Sequence, residues 1–124
     1  MTVGVPREEA PGERRVAATP DSAKQLAESG FRVVVARGAG LGAGFADADY
    51  EPAGAAIGEQ ADAWAADIVI KVRAPSAPEI ALLHAGQTLI SYLYPAQNAD
   101  LLNALSGAGI TAIGMDQVPR TTRA

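Results

Sequence analysis

Five short runs of β-branched and other apolar residues recur along this 124-residue chain, at positions 3–5, 31–36, 68–72, 88–93 and 110–113. Most are nearly continuous rather than alternating in polarity, the pattern of strands covered on both faces of a parallel sheet. Parallel neighbours cannot be joined by tight hairpins, so helices are expected between them. One is marked over 19–29, where Thr19 suits the N-cap, Pro20 the first helical position and Gly30 the left-handed stop, with Ala23, Leu26 and Ala27 facing the sheet. Asn98 suits a second N-cap, leading Leu101, Leu102 and Leu105 along one face until Gly107 and Gly109 end the helix. Shorter helices are expected over 78–84 and 61–66, and Pro52 limits any helix begun near Asp49. This alternation gives an α/β fold with an open, mostly parallel sheet flanked by helices.

A chain of this length buries one domain core without staples. The absence of cysteine excludes disulfides, a thiol nucleophile and cysteine-ligated metal, and it fits a reducing compartment. A net charge of -4 argues against a broad nucleic-acid-binding face. No apolar run approaches the roughly 18 residues of a membrane span, and the opening Met1-Thr2-Val3-Gly4-Val5-Pro6 lacks a signal-peptide pattern. A soluble chain is therefore expected, with any membrane role borrowed from a partner. Beyond Ile113 the residues run to Ala124 with no cap, polar tail or closing helix, so the chain is expected to be an incomplete piece of a longer one.

Gly38-Ala39-Gly40-Leu41-Gly42-Ala43 follows an expected strand and matches the G-x-G-x-x-G/A form of a dinucleotide fingerprint. That reading needs a long helix starting at the glycines, and Asp47, Asp49 and Pro52 argue for turns instead. It also needs a second strand ending in an acidic residue about 20 positions on, where a helix over 61–66 is expected. A flexible structural loop is the expectation.

Lys71 lies inside an apolar strand, with Arg73 just beyond it. A buried ammonium requires an anionic partner, either an internal carboxylate or a ligand. Arg14 and Arg15 precede the first helix, where a guanidinium can grip a carboxylate or phosphate with two prongs, although a surface charge cluster would look similar. His84, the one histidine, ends an expected short helix and suits a dipole-capping or solvent role better than catalysis. The segment Pro119-Arg120-Thr121-Thr122-Arg123 offers guanidiniums, hydroxyls and backbone N–H groups after a strand, as either a ligand cradle or a polar linker.

Together, Val3-Gly4-Val5-Pro6-Arg7-Glu8, Glu13-Arg14-Arg15-Val16-Ala17 and Thr19-Pro20 resemble the opening shared by alanine dehydrogenases and the alpha subunits of proton-translocating NAD(P) transhydrogenases. Gly38-Ala39-Gly40, Tyr50 and Ala53-Gly54-Ala55 continue the likeness. The resemblance implies a flavodoxin-like N-terminal domain over 1–124, with the NAD-binding Rossmann domain absent from this chain. Within the family, the dehydrogenase branch reads K-V-K-E-P where this chain has Lys71-Val72-Arg73-Ala74-Pro75, and a proton-exchanging histidine where it has Tyr94. Tyr94-Pro95-Ala96-Gln97-Asn98 is similar to the transhydrogenase W-P-A-Q-N run, and Met115-Asp116 with Val118-Pro119-Arg120 and Arg123-Ala124 to its M-D-x-V-P-R-x-x-R-A-Q run.

That branch implies hydride transfer between NADH and NADP+ coupled to proton movement. NAD(H) would be bound partly by Arg120, Thr121, Thr122 and Arg123, and no residue of this chain would be catalytic. Arg15, Lys71, Arg73 and Tyr94 would form an anion or substrate-like site. NADP(H) would sit on a partner component, and the intact homo-oligomer would lie at the cytoplasmic side of a membrane with the membrane components. The fragment alone would be inactive. The alternatives are an alanine dehydrogenase-like enzyme, with Arg15 and Lys71 gripping a carboxylate, and a non-catalytic docking domain.

Overall fold

In the computed structural model, the residues described are 1–93 and 98–115. Six parallel strands form one sheet: β1 (Thr2–Val5), β2 (Arg32–Ala36), β3 (Ala56–Gly58), β4 (Ile68–Ile70), β5 (Thr88–Ser91) and β6 (Thr111–Gly114). They lie in the order β3-β2-β1-β4-β5-β6. Five helices connect them: α1 (Pro20–Glu28), α2 (Asp47–Tyr50), α3 (Gln60–Trp64), α4 (Ala77–Ile80) and α5 (Ala99–Gly107). All five anticipated strands are present. Taken alone they run 2-1-3-4-5, the flavodoxin-type order, and the unanticipated β3 extends the sheet beyond β2.

Local chemistry accounts for the helix ends. Thr19 and Ser22 form a reciprocal capping box at the start of α1, with Pro20 in the first turn, and Gly30 takes φ 99° just beyond its end. Asn98 does stand at the N-cap of α5, but its side chain donates to the Leu93 carbonyl at 2.7 Å instead of capping the helix. The helix expected over 78–84 is a shorter turn that closes at Ile80. His84 therefore caps nothing; it is exposed in the following turn, and its backbone N–H donates to Gln87 Oε1.

The core has two parts. Val5, Val33, Val35, Ala23 and Tyr50 pack around β1 and β2, and Trp64, Val69, Leu89, Leu93, Leu105 and Ile110 pack around β4 and β5. Between them α3 crosses close to β1, because Gly4 offers no side chain: a Cβ there would run into the Ala63 carbonyl oxygen and the Ala66 methyl. Gly4→Ala is expected to destabilise the chain by about 3 kcal/mol through that overlap. Gly107→Ala at the end of α5, where a methyl meets nothing within 4 Å, should change stability by less than about 1 kcal/mol. Urea unfolding of both variants checks this, and equal midpoints would show that α3 can shift aside.

Candidate functional site

In an open α/β sheet the strand order reverses at one point, and the strand ends part there into a crevice. Here the reversal falls between β1 and β4. The loop after β1 carries Glu8, Glu13 and Arg15, and the end of β4 carries Lys71 and Arg73, so sequence-distant charges meet at this place.

Lys71 is buried, and its ammonium lies 3.0 Å from Glu79 Oε2 and 3.3 Å from Glu8 Oε1, over the face of Trp64 at 5.8 Å from the ring centroid. Of the two partners left open by the sequence, the geometry supplies internal carboxylates. Each carboxylate has further donors. Glu8 accepts the Val72 and Arg73 backbone N–H groups at 2.8 and 3.1 Å, and Glu79 accepts the Ser76 N–H at 2.9 Å as the third helical residue of α4. One ammonium thus ties β4 both to the loop after β1 and to α4.

Arg15 and Arg73 are arranged differently. Their side chains are 62% and 51% exposed, yet both reach the side chain of Glu13, which is only 4% exposed. Arg15 donates through Nε and Nη2 at 2.9 and 2.8 Å, and Arg73 donates through Nε at 2.7 Å. These bonds, led by those from Arg15 and then Arg73, hold the Glu13 carboxyl well below the usual carboxylate range. Three of the four residues of the expected anion site, Arg15, Lys71 and Arg73, therefore gather around the reversal. Tyr94 and the run Arg120, Thr121, Thr122 and Arg123 lie outside the described residues.

An open cavity of about 350 Å³ lies at the ends of β4 and β5, lined by Val16, Ile70, Val72, Ile90, Tyr92 and Met115 among others. Its size is near the lower end of the roughly 300–1,000 Å³ usual for small-molecule sites. Apolar walls suit the flat face of a ring; Arg73 lines a separate cavity of about 310 Å³ with Lys71, Ser76 and Glu79. Among the described residues, no cluster of His, Asp and Glu is placed to hold a metal ion.

The glycine segment plays another part. Leu41–Ala43 form a single 3-10 turn and only the four-residue α2 follows, so no long helix begins there. Gly40 lies against Tyr50, whose hydroxyl donates to the Ala18 carbonyl; a Cβ at Gly40 would stand 2.7 Å from that hydroxyl. Contrary to expectation, a second strand does follow the glycines, β3, with Glu59 directly after it. Glu59 instead faces Arg37 at 3.6 Å on the surface.

Sequence reasoning missed Glu8, Glu13 and Glu79 as functional groups. Glu79 had a readable signal, since Ser76-Ala77-Pro78-Glu79 is a capping box that places a carboxylate beside the end of β4. Glu8 and Glu13 had none, because nothing local says which loop carboxylate folds inward.

Residues 4–124 match the family model for the alanine dehydrogenase/PNT N-terminal domain. The chain belongs to that family. It is 51% identical, over its whole length, to the NAD(P) transhydrogenase subunit alpha of Cereibacter sphaeroides, and 44% identical to that of Haemophilus influenzae. Against the alanine dehydrogenase of Bacillus subtilis it is 42% identical over 95% of its length, covering 32% of that protein. The solved transhydrogenase of Sinorhizobium meliloti superposes on 99% of the chain with TM-score 0.94 and 44% identity, the chain covering 37% of it. An L-alanine dehydrogenase superposes with TM-score 0.93 and 39% identity, 35% of it being covered. The chain spans 24% of the length of the two transhydrogenase subunits.

Two outcomes are expected from the charge cluster. Lys71→Met leaves two buried carboxylates without their cation and should destabilise the chain by about 3–5 kcal/mol, read by denaturant unfolding. Glu13→Gln should cost about 1–2 kcal/mol at pH 7, a modest figure because both arginines are half in water. A carboxyl whose folded pKa is depressed contributes stability above its unfolded value, about 4.3, and loses it as pH falls toward the native one. The gap between wild type and Glu13→Gln should stay flat from pH 8 to about 5 and narrow below about 4. A gap independent of pH would remove Glu13 as an ionised partner.

Proposed function

We propose that this chain is the N-terminal domain of the NAD(H)-binding alpha subunit of a proton-translocating NAD(P) transhydrogenase. The observation that carries this reading is the identity to transhydrogenase alpha subunits, 51% and 44% over the whole chain, against 42% and 35% for the alanine dehydrogenases of Bacillus subtilis and Staphylococcus aureus. Two substitutions agree. Arg73 stands where the dehydrogenase branch has lysine, and Tyr94 where it has the histidine that exchanges a substrate proton. Direct hydride transfer between two nicotinamide rings moves no substrate proton, so it has no need of that histidine.

In this proposal the nicotinamide nucleotide supplies the hydride chemistry, and the domain supplies one wall of its cleft. Arg120, Thr121, Thr122 and Arg123 contact NAD(H), the apolar cavity at the ends of β4 and β5 shelters a ring from water, and Arg15 and Arg73 face an anionic group. A Rossmann domain outside this segment carries the dinucleotide fingerprint, and NADP(H) arrives on a partner component. Membrane components, on whose cytoplasmic side the soluble subunit docks as a homo-oligomer, couple the transfer to protons. Residues 1–124 alone are therefore inactive. Among the described residues no helix is long and apolar enough to cross a membrane, which is compatible with that placement.

The test uses the full-length subunit with its NADP(H)-binding component. NADH-dependent reduction of an NADP+ analogue is expected, with little NADH oxidation by pyruvate and ammonia; the reverse pattern would favour the dehydrogenase reading. Arg120→Ala should raise the NADH Kd about tenfold or more through loss of a charged contact, and an unchanged Kd would remove that loop from the site.

A further inference from the structure

We propose that Gln60 is a positioning residue for the crevice between β1 and β4, a splint through which α3 holds the loop after β1 and, with it, the end of β4. This rests on reading the crevice as part of a nucleotide site and goes beyond it by naming what keeps the floor of that site in place. Gln60 is the first residue of α3 and is half-buried. Its carboxamide oxygen accepts the Arg7 backbone N–H at 2.8 Å, and its nitrogen donates to the Arg7 carbonyl at 3.2 Å. Both bonds fall on one residue 53 positions away, as when two paired strand residues exchange both of their backbone bonds. The side chain thereby stands in for a neighbouring strand just beyond the end of β1.

The Arg7 carbonyl belongs to the planar peptide that leads into Glu8, so holding it fixes the direction in which Glu8 leaves the chain. Arg7 is exposed, whereas the Glu8 side chain is only 2% exposed. Glu8 is the carboxylate that meets the Lys71 ammonium and accepts the Val72 and Arg73 N–H groups. The same helix acts a second time. Trp64 lies four residues after Gln60, on the same helical face, and its ring lies under that ammonium. Thus α3 touches the buried cation with one side chain and the loop that brings its counter-charge with another.

The orientation of the carboxamide is specified as well. Glu9 Oε1 accepts from the Gln60 nitrogen at 3.1 Å, so a flipped amide would set its oxygen against both a carboxylate and the Arg7 carbonyl. A glutamate at position 60 keeps the size and the acceptor for the Arg7 N–H. It loses both donor bonds and meets Glu9 as a like charge. An alanine loses all three bonds.

Gln60→Ala and Gln60→Glu are made in the full-length subunit and compared with wild type by hydrogen exchange and by steady-state kinetics. Amide exchange at Val72 and Arg73 is expected to speed up about tenfold in both variants, while exchange at Val33 and Val35 in β2 stays unchanged. With the NADP(H)-binding component present, KM for NADH is expected to rise about threefold or more with kcat held within about twofold, the mark of lost ground-state binding. A glutamine that merely begins α3 would lower the melting temperature, leave exchange at Val72 and Arg73 in step with the rest of the sheet and leave KM unchanged. That result overturns the proposal, as does faster local exchange with no change in KM. Should Gln60→Ala fail to fold, the isosteric Gln60→Glu carries the test. A wild-type subunit inert towards the NADP+ analogue would sink the transhydrogenase reading, and the exchange comparison would still decide for or against the splint.

Discussion

A buried ammonium must be neutralised where it sits, and the way Lys71 meets that demand fixes the centre of this domain. Its two carboxylates come from different elements, Glu8 from the loop after β1 and Glu79 from α4. Glu8 also accepts the two backbone N–H groups that follow Lys71, which lie beyond the ladder bonds of β4. The parting between β1 and β4 is thereby pinned from both sides. An ion pair of this kind adds little net stability over apolar packing, but removing one member is costly. Its value here is geometric, because the exposed Arg73 and the loop bearing Glu13 both depend on where β4 ends.

The elements legible in the sequence were those whose signals are local. Thr19, Pro20, Ser22 and Gly30 specify both ends of α1 without help from the rest of the chain. The β-branched runs specify the inner strands because burial on both faces favours such residues. β3 escaped because it is three residues long, contains alanine and glycine, and sits at the sheet edge, where pairing with β2 alone selects it. Asn98 shows the limit of a local signal from the other side. The residue type suited a cap, but a nearby carbonyl competes for its side chain and wins.

The candidate site was legible only in its cations. Lys71, Arg15 and Arg73 stand out because a charge within an apolar run, or a guanidinium near a strand end, demands explanation. The anions that organise them do not stand out, since acidic residues in loops are ordinary. Glu13 and Arg73 become partners solely through the strand order. The glycine loop gives the converse case: a pattern that looks chemical is used for packing, with Gly40 making room for the Tyr50 ring beneath a buried hydroxyl bond. Burial, helped by the nearby Asp47 and Asp49, pushes the Tyr50 phenol above its ordinary range, so at neutral pH it serves as a donor.

The two kinds of cation divide the work at the crevice according to their chemistry. Lys71 is a compact charge buried between carboxylates, and it is committed to holding elements together. Arg15 and Arg73 are half exposed, and their planar forks have more donors than one carboxylate can take. Under the proposed hydride transfer, whose chemistry would reside in the nicotinamide nucleotide, this domain would need no proton-transferring group, only a rigid floor, an apolar shelter and a polar edge that does not drift. In that proposal the floor would be the Lys71 cluster, the shelter the cavity between Ile70, Ile90 and Met115, and the edge the pair of guanidiniums that share Glu13.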